Sequence, residues 1–239
     1  DALGKGSNGE SKTVIMKIRH IEFSEKGPRM NNEDCYNVVC SDDGKKMFIV
    51  CDGMGGHACG EVASKTVCDS ISVYWEENLH EPDTIEKVHQ AAKRAQSAID
   101  EESGHYQMGT TMVMASIDGQ NAMIAHAGDS RCYVIDLKGN VKYRTIDHLE
   151  TGTAWIPYIN RAFFTRHPEQ ALPEVKLIRL QPLDRILLCS DGLYNSMDDE
   201  DLLHILQCAK DVEQVAEKYQ AICKEKAGDN YTAIIIEVE

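Results

Sequence analysis

Residues 47–61 read M-F-I-V-C-D-G-M-G-G-H-A-C-G-E, and no other stretch restricts the fold as much. The unbroken apolar run from Met47 to Cys51 suits a strand buried on both faces. It ends at Asp52, and Gly53, Gly55 and Gly56 then let the backbone turn tightly and approach closely whatever the carboxylate holds. From Glu61 the pattern becomes helical, with Val62, Ala63, Val67, Ile71 and Tyr74 on one stripe. An acid therefore stands at the mouth of a core strand, in a glycine loop, ahead of a helix. Taken alone it reads as a turn acid capping that helix. The same arrangement recurs elsewhere in the chain, which changes the balance.

The 239 residues contain no Pro/Ser-rich linker or charge block. One domain over 13–239 is expected, after a Gly/Ser-rich flexible tail or remnant over 1–12. The net charge of −14 argues against nucleic acid or an anionic membrane surface as a partner. The excess acid is either solubilising surface or includes carboxylates gathered around cations. Nine cysteines with no C-x-x-C pair, several inside apolar strands or helical stripes, read as free thiols in a reducing compartment. No apolar run is long enough to span a bilayer. The expectation is a cytoplasmic protein without a membrane segment.

Strands are expected over 13–23, 35–40 and 46–51, with Asp42-Asp43-Gly44 turning the last two. Two helices follow, the second with Asp83 as N-cap and Glu86 at capping-box spacing, its stripe being Ile85, Val88, Ala92, Ala95 and Ile99. Four strands come next, over 110–117, 121–127, 131–136 and 141–146. Weak periodicity over 147–173 predicts a short irregular flap. Strands at 174–180 and 185–189, helices at 198–208 and 211–226 (the latter capped by Asp211), and a strand at 231–238 complete the chain. Antiparallel hairpins with helices in pairs are unlike the alternation of a parallel sheet. The expected fold class is α+β, a four-layer α-β-β-α sandwich of two mainly antiparallel sheets flanked by helix pairs.

Acids cluster at the strand ends of this pattern: Glu33-Asp34, Asp52, Asp129, Asp191 and Asp229, mostly beside glycine. Each alone is explicable as a turn residue; five such places are not. Unpaired carboxylates brought together repel and need cations. The candidate ligands are all oxygen, which favours Mg²⁺ or Mn²⁺. Two such ions roughly 3.5–4 Å apart stabilise in-line attack on phosphorus. Arg29, four residues before Glu33, has the fork that suits phosphate oxygens. Calcium held without chemistry is the alternative, weakened by the absence of an EF-hand loop.

The motifs R-x-x-N-E-D (29–34), D-G-M-G-G-H-x-x-G-E (52–61), G-T-T (109–111), A-G-D-S-R (127–131), D-H (147–148), S-D-G-L (190–193) and G-D-N (228–230) follow in order. From about Ile18 onward the chain resembles the metal-dependent Ser/Thr protein phosphatases of type 2C, in their compact bacterial form. The resemblance implies that Asp52 bridges two metals and that the Gly53 carbonyl serves one of them. Asp191 and Asp229 complete the first ion, Glu33 serves the second largely through water, and Asp34 orients metal-bound water. It implies a weaker third ion shared by Asp129 and Asp191, and Arg29 on the substrate phosphate.

A hydroxide bridging two Mn²⁺ or Mg²⁺ would attack phosphoserine or phosphothreonine. Phosphorylated proteins, a Ser/Thr kinase and its targets are the implied partners of a monomer. Eukaryotic relatives place a general-acid His directly after D-G; here His57 follows an inserted Met54-Gly55-Gly56 and is either that acid or a polar loop residue. The flap is short for the family. Two further readings stay open: a phosphatase of small phosphate esters, and a weakly active metal-binding phosphoprotein sensor.

Overall fold

The computed structural model describes residues 16–54, 59–152 and 157–239. The expected tail over 1–12, the first residues of the 13–23 strand and His57 lie outside them. Strands β1 (Ile18–Glu25), β2 (Asp34–Cys40) and β3 (Lys46–Met54) precede helices α1 (Cys59–Glu77) and α2 (Ile85–Ser103). Next come β4 (Gly109–Thr110), β5 (Met112–Asp118), β6 (Asn121–Ala127), β7 (Arg131–Ile135), β8 (Val141–Arg144), β9 (Leu149–Thr151), β10 (Pro157–Ile159) and β11 (Phe163–Phe164). The chain finishes with β12 (Glu174–Arg179), β13 (Arg185–Cys189), α3 (Asp191–Tyr194), α4 (Asp199–Cys208), α5 (Val212–Lys226) and β14 (Tyr231–Val238).

Two antiparallel sheets stack face to face. One runs β1-β14-β13-β7-β8; the other runs β11-β4-β3-β5-β6-β12, with β2 also on β3. Period-two alternation explains why the strands read as continuous apolar runs. In β3, Phe48 and Val50 enter the core between the sheets with Val113, Ile124, Ile186 and Ile234. Met47, Ile49 and Cys51 face the opposite way, onto Val67, Ile71 and Trp75 of α1 and Val88, Ala92 and Ile99 of α2. In β14, Ala233 and Ile235 pack with Leu202 and Leu206 of α4 and Val215 and Tyr219 of α5. The four-layer α+β sandwich expected from sequence is the architecture found.

Several local expectations need correction. β3 runs through Asp52 to Met54, because both peptide groups of Asp52 are paired: its N–H donates to Thr111 Oγ1 (3.0 Å) and its carbonyl accepts from Thr111 N (2.9 Å). The N-cap of α2 is Thr84, whose Oγ1 accepts from Lys87 N at 3.1 Å, rather than Asp83. Asp83 instead meets the buried Lys87 ammonium at 3.1 Å and accepts from Ser116, which ties α2 to the sheet. Val62 and Ile85, placed on the helical stripes, are exposed. The residues 147–173 are also more regular than expected: β9 and β10 form a hairpin, and β11 reaches back to pair with β4.

The buried Arg185 fastens one helix pair to its sheet. It pairs with Glu237 (Nε–Oε2 2.7 Å) and donates through Nη1 to the carbonyls of Leu206 (2.7 Å) and Ala209 (2.8 Å) at the end of α4. A cation there also complements the helix dipole. Arg185→Ala leaves Glu237 buried and unpaired, so a loss of about 3–5 kcal/mol is expected in denaturant unfolding. A change within error would show that solvent replaces the guanidinium.

Candidate active site

The acids singled out from sequence meet at one end of the sandwich. Glu33, Asp52, Gly53, Asp129, Asp191 and Asp229 line a single cavity of about 440 Å³ together with Arg29. Asp34 stands directly opposite Asp52 in the β2–β3 pairing. Asp129 lies in the turn between β6 and β7, Asp191 opens α3 straight after β13, and Asp229 sits just before β14. Both sheets therefore contribute. Beneath the cavity they are joined by the buried Ser190 hydroxyl, which donates to Asp34 Oδ2 at 2.6 Å and accepts from Thr232 N at 3.0 Å.

Close backbone approach makes room for these groups. A Cβ on Gly53 would lie 2.1 Å from the carbonyl oxygen of Gly60, and one on Gly60 would lie 2.2 Å from Glu33 Oε2. Only hydrogen fits at either position, so the start of α1 can press against β3 while leaving space for the Glu33 carboxylate. Gly53 N–H donates to the Glu33 carbonyl at 3.0 Å.

The cavity is a poor place for uncompensated carboxylates. Burial first, then the charges of Asp34, Asp191, Asp129 and Asp229, push Asp52 well above the usual carboxylate range. Asp34 is pushed up to about 7, by burial and against the opposing effect of Ser190. Asp129 is pushed up to about 6 by burial and by Asp191. Asp191 and Glu33 are raised as well, both mainly by burial. No three of the described acids gather oxygens within 4.8 Å of one another. They ring the cavity, as like charges do, and a ring of oxygen donors fits more than one hard divalent cation. Asp34 Oδ1 is buried and has no hydrogen-bond partner, as suits an acceptor waiting for an ordered water.

Arg29 is exposed at the rim. Its Nη2 donates to Asp229 Oδ2 at 2.5 Å and its Nε to the Gly228 carbonyl at 3.3 Å. Asp129 forms no ion pair with its near neighbour Arg131. Arg131 is held by Asp147, with Nε–Oδ1 at 2.9 Å and Nη2–Oδ2 at 2.7 Å.

Three supporting residues carry no role in the sequence reading. Asn230 accepts from Glu33 N (2.8 Å) and donates to the carbonyls of Lys26 (2.7 Å) and Asn31 (2.8 Å), bracing the loop that bears Arg29 and Glu33. Thr111 Oγ1 joins the Asp52 amide to the Ser130 hydroxyl (2.7 Å). Ser190 holds Asp34. All three lie inside the short motifs already noted, which is the only signal the sequence offers for them.

Outside the cavity, His126, His148 and Glu174 bring possible ligand atoms within 4.8 Å of one another. The two imidazoles are stacked, with centroids 4.4 Å apart and planes 10° from parallel. A ring-nitrogen lone pair lies in its ring plane, so two stacked rings cannot aim at one ion. His148 Nδ1 moreover accepts from Gly128 N at 3.2 Å, which leaves the proton on Nε2. The trio is no metal site. The buried Cys51 and Cys189 thiols are both pushed up by burial, as expected of inert core cysteines.

The sequence profile of protein phosphatase 2C matches residues 27–227. The serine/threonine phosphatase stp of Listeria welshimeri is 28% identical over 246 aligned residues, covering 91% of this chain and 95% of that protein. The serine/threonine protein phosphatase PstP of Mycobacterium tuberculosis is also 28% identical, covering 94% of this chain but 46% of that longer protein. Among solved structures, the PstP catalytic domain in complex with two manganese ions superposes with a TM-score of 0.77 at 29% identity, covering 93% of this chain and 99% of that one. A bacterial serine phosphatase superposes at 0.81 with 26% identity, covering 93% and 98%. With the ring of acids, the sandwich and the ordered motifs all in place, the chain belongs to the protein phosphatase 2C family of enzymes.

Proposed function

We propose that this chain hydrolyses phosphoserine and phosphothreonine in proteins with the help of two divalent ions, Mn²⁺ or Mg²⁺. The observation that carries it is the convergence of Glu33, Asp52, Asp129, Asp191 and Asp229 on one open cavity that repels their own charge. Asp52, Asp191 and Asp229 would hold one ion and Asp52 and Glu33 the other, with the Gly53 carbonyl serving one of the two. Asp129 and Asp191 would share a weaker third. When bound, such ions neutralise developing charge on phosphate and acidify a water for attack on phosphorus. Asp34, through its unpartnered oxygen, would orient that water. Arg29, exposed at the rim, receives the substrate phosphate.

No cysteine nucleophile is required, and Cys51 is buried away from the cavity. None of the described cysteines is joined in a disulfide, which suits a reducing compartment. No described helix is long and apolar enough to cross a membrane. The partners would be phosphorylated proteins, with the enzyme opposing a Ser/Thr kinase and acting as a monomer.

Phosphate release from phosphoserine, phosphothreonine and phosphotyrosine peptides, with Mn²⁺ and with EDTA, tests the proposal. Release from the first two, abolished by chelator and restored by Mn²⁺, is expected. Full activity in chelator after dialysis would sink it.

Arg29→Ala should reduce phosphopeptide turnover roughly tenfold to a hundredfold, the worth of one charge-assisted contact. Mn²⁺ binding at the inner pair should stay nearly unchanged. A mutant that loses Mn²⁺ would show instead that Arg29 braces the Asp229 carboxylate it touches.

A further inference from the structure

Asp129 and Asp191 reach the cavity from separate parts of the chain, and the charge of Asp191 disfavours an ionised Asp129 beside it. Two carboxylates meant to share one ion must be kept facing each other before the ion arrives. The structure contains a part able to do this. Helix α3 is a single turn that begins at Asp191 and ends at Tyr194. The Tyr194 phenol donates to the backbone carbonyl of Asp129 at 3.1 Å. The loop carrying one acid is thus fastened to the turn carrying the other.

The ring of Tyr194 is itself held from behind. The Arg131 guanidinium lies over it, 3.5 Å from the ring centre. Arg131 is itself held, because the Asp147 carboxylate accepts from two of its nitrogens and the Tyr133 hydroxyl accepts from the third at 3.1 Å. The residue before Asp129 is pinned separately: Gly128 accepts from His148 N at 3.0 Å and donates to His148 Nδ1 at 3.2 Å. The tie runs to the main chain of Asp129, so its carboxylate stays free to bind. A phenol that only filled space would not need a hydroxyl aimed at that carbonyl.

We infer that Tyr194, stacked beneath Arg131, is a positioning residue that sets the spacing of Asp129 and Asp191 for the outer, weaker divalent ion. This rests on the reading above in which those two acids share such an ion. Tyr194 touches neither substrate nor ion, and it acts through the Asp129 backbone.

Free Mn²⁺, followed by its paramagnetic resonance signal during titration of the chelator-stripped protein, provides the test for the wild type, Tyr194→Phe, Asp129→Asn and the double variant. The Phe side chain keeps the ring and its stacking and removes only the hydroxyl. Tyr194→Phe should raise the dissociation constant of the weak site about two- to tenfold, the worth of one hydrogen bond. The inner pair should bind as in the wild type, the melting temperature should hold, and excess Mn²⁺ should recover the turnover that is lost. Asp129→Asn should abolish the weak site, and adding Tyr194→Phe to it should change nothing more, because both act on one ion.

A Tyr194→Phe titration identical to wild type, while Asp129→Asn loses the weak site, would overturn the positioning role and leave the outer ion standing. Equal weakening of every site with a fallen melting temperature would overturn it too, as a general structural effect. An Asp129→Asn protein that keeps its weak site would overturn the assignment of the outer ion, and the role of Tyr194 with it.

Discussion

Asp52→Asn is expected to lower phosphopeptide turnover beyond the roughly hundredfold to thousandfold that one removed electrostatic donor costs. The reason is position. Asp52 is the acid on which four others press, from Asp34 across the strand pair to Asp191, Asp129 and Asp229. On the proposed reading it alone serves both inner ions, so one lost charge weakens two sites, and Mn²⁺ titration should show both weakened.

The same change should act in the opposite sense on the metal-free fold. An acid whose folded-state pKa is raised holds its proton more tightly folded than unfolded. Above the ordinary carboxylate range the folded chain therefore binds more protons, and stability falls as pH rises. Asp129 and Asp34, raised to about 6 and about 7, place that loss between about pH 4 and pH 7. Removing the charge of Asp52 relieves its neighbours, so in chelator near neutral pH the Asn variant should melt higher than the wild type. A site kept for function at the expense of stability behaves in this way. An Asp52→Asn protein that turns over normally would contradict the first part, and one that melts lower in chelator would contradict the second.

The layers of the fold were legible because they rest on long-range periodicity. Strands such as β3 and β14 are apolar on both faces, which requires a sheet covered on both sides, here by the second sheet and by a helix pair. Errors arose where the deciding contact is remote in sequence. Nothing near Phe163-Phe164 announces that these two residues pair with Gly109-Thr110, and two-residue strands have no period to read. Asp83 carries the stronger capping signal on paper, but Lys87 and Ser116 claim its carboxylate and Thr84 takes the cap. Val62 lies on the side of α1 opposite its buried face, which Ala63, Val67 and Ile71 mark, and Ile85 is the first residue of α2, at its open end.

The site was legible in its acids and not in what holds them. A carboxylate between glycines at a strand end has no evident structural task, so five of them stand out. Asn230, Thr111 and Ser190 do ordinary hydrogen bonding, and only the folded chain shows their partners to be the loops of Glu33, Asp52 and Asp34. The pairing of Arg131 with Asp147, not with the near neighbour Asp129, is likewise a product of β7 lying beside the segment after β8. That pairing bears directly on what Asp129 is for.

Asp129→Ala separates a metal ligand from a turn residue. In the turn, the work of holding the backbone is done by others: Tyr194 on the Asp129 carbonyl, His148 on Gly128, and Thr111 on the Ser130 hydroxyl. The carboxylate itself accepts from its own backbone N–H, but burial and the charge of Asp191 outweigh this, and the Arg131 guanidinium is paired with Asp147. Its removal should therefore leave the melting temperature unchanged or slightly raised in chelator, since a disfavoured charge is gone. Turnover of phosphopeptides should nevertheless fall by roughly a hundredfold or more, the loss of one preorganised electrostatic partner. The Mn²⁺ concentration needed for the residual activity should rise, while the inner pair titrates as before. A variant that melts lower but keeps its turnover would make Asp129 a turn residue. One with wild-type turnover and wild-type Mn²⁺ titration would remove it from the active site altogether.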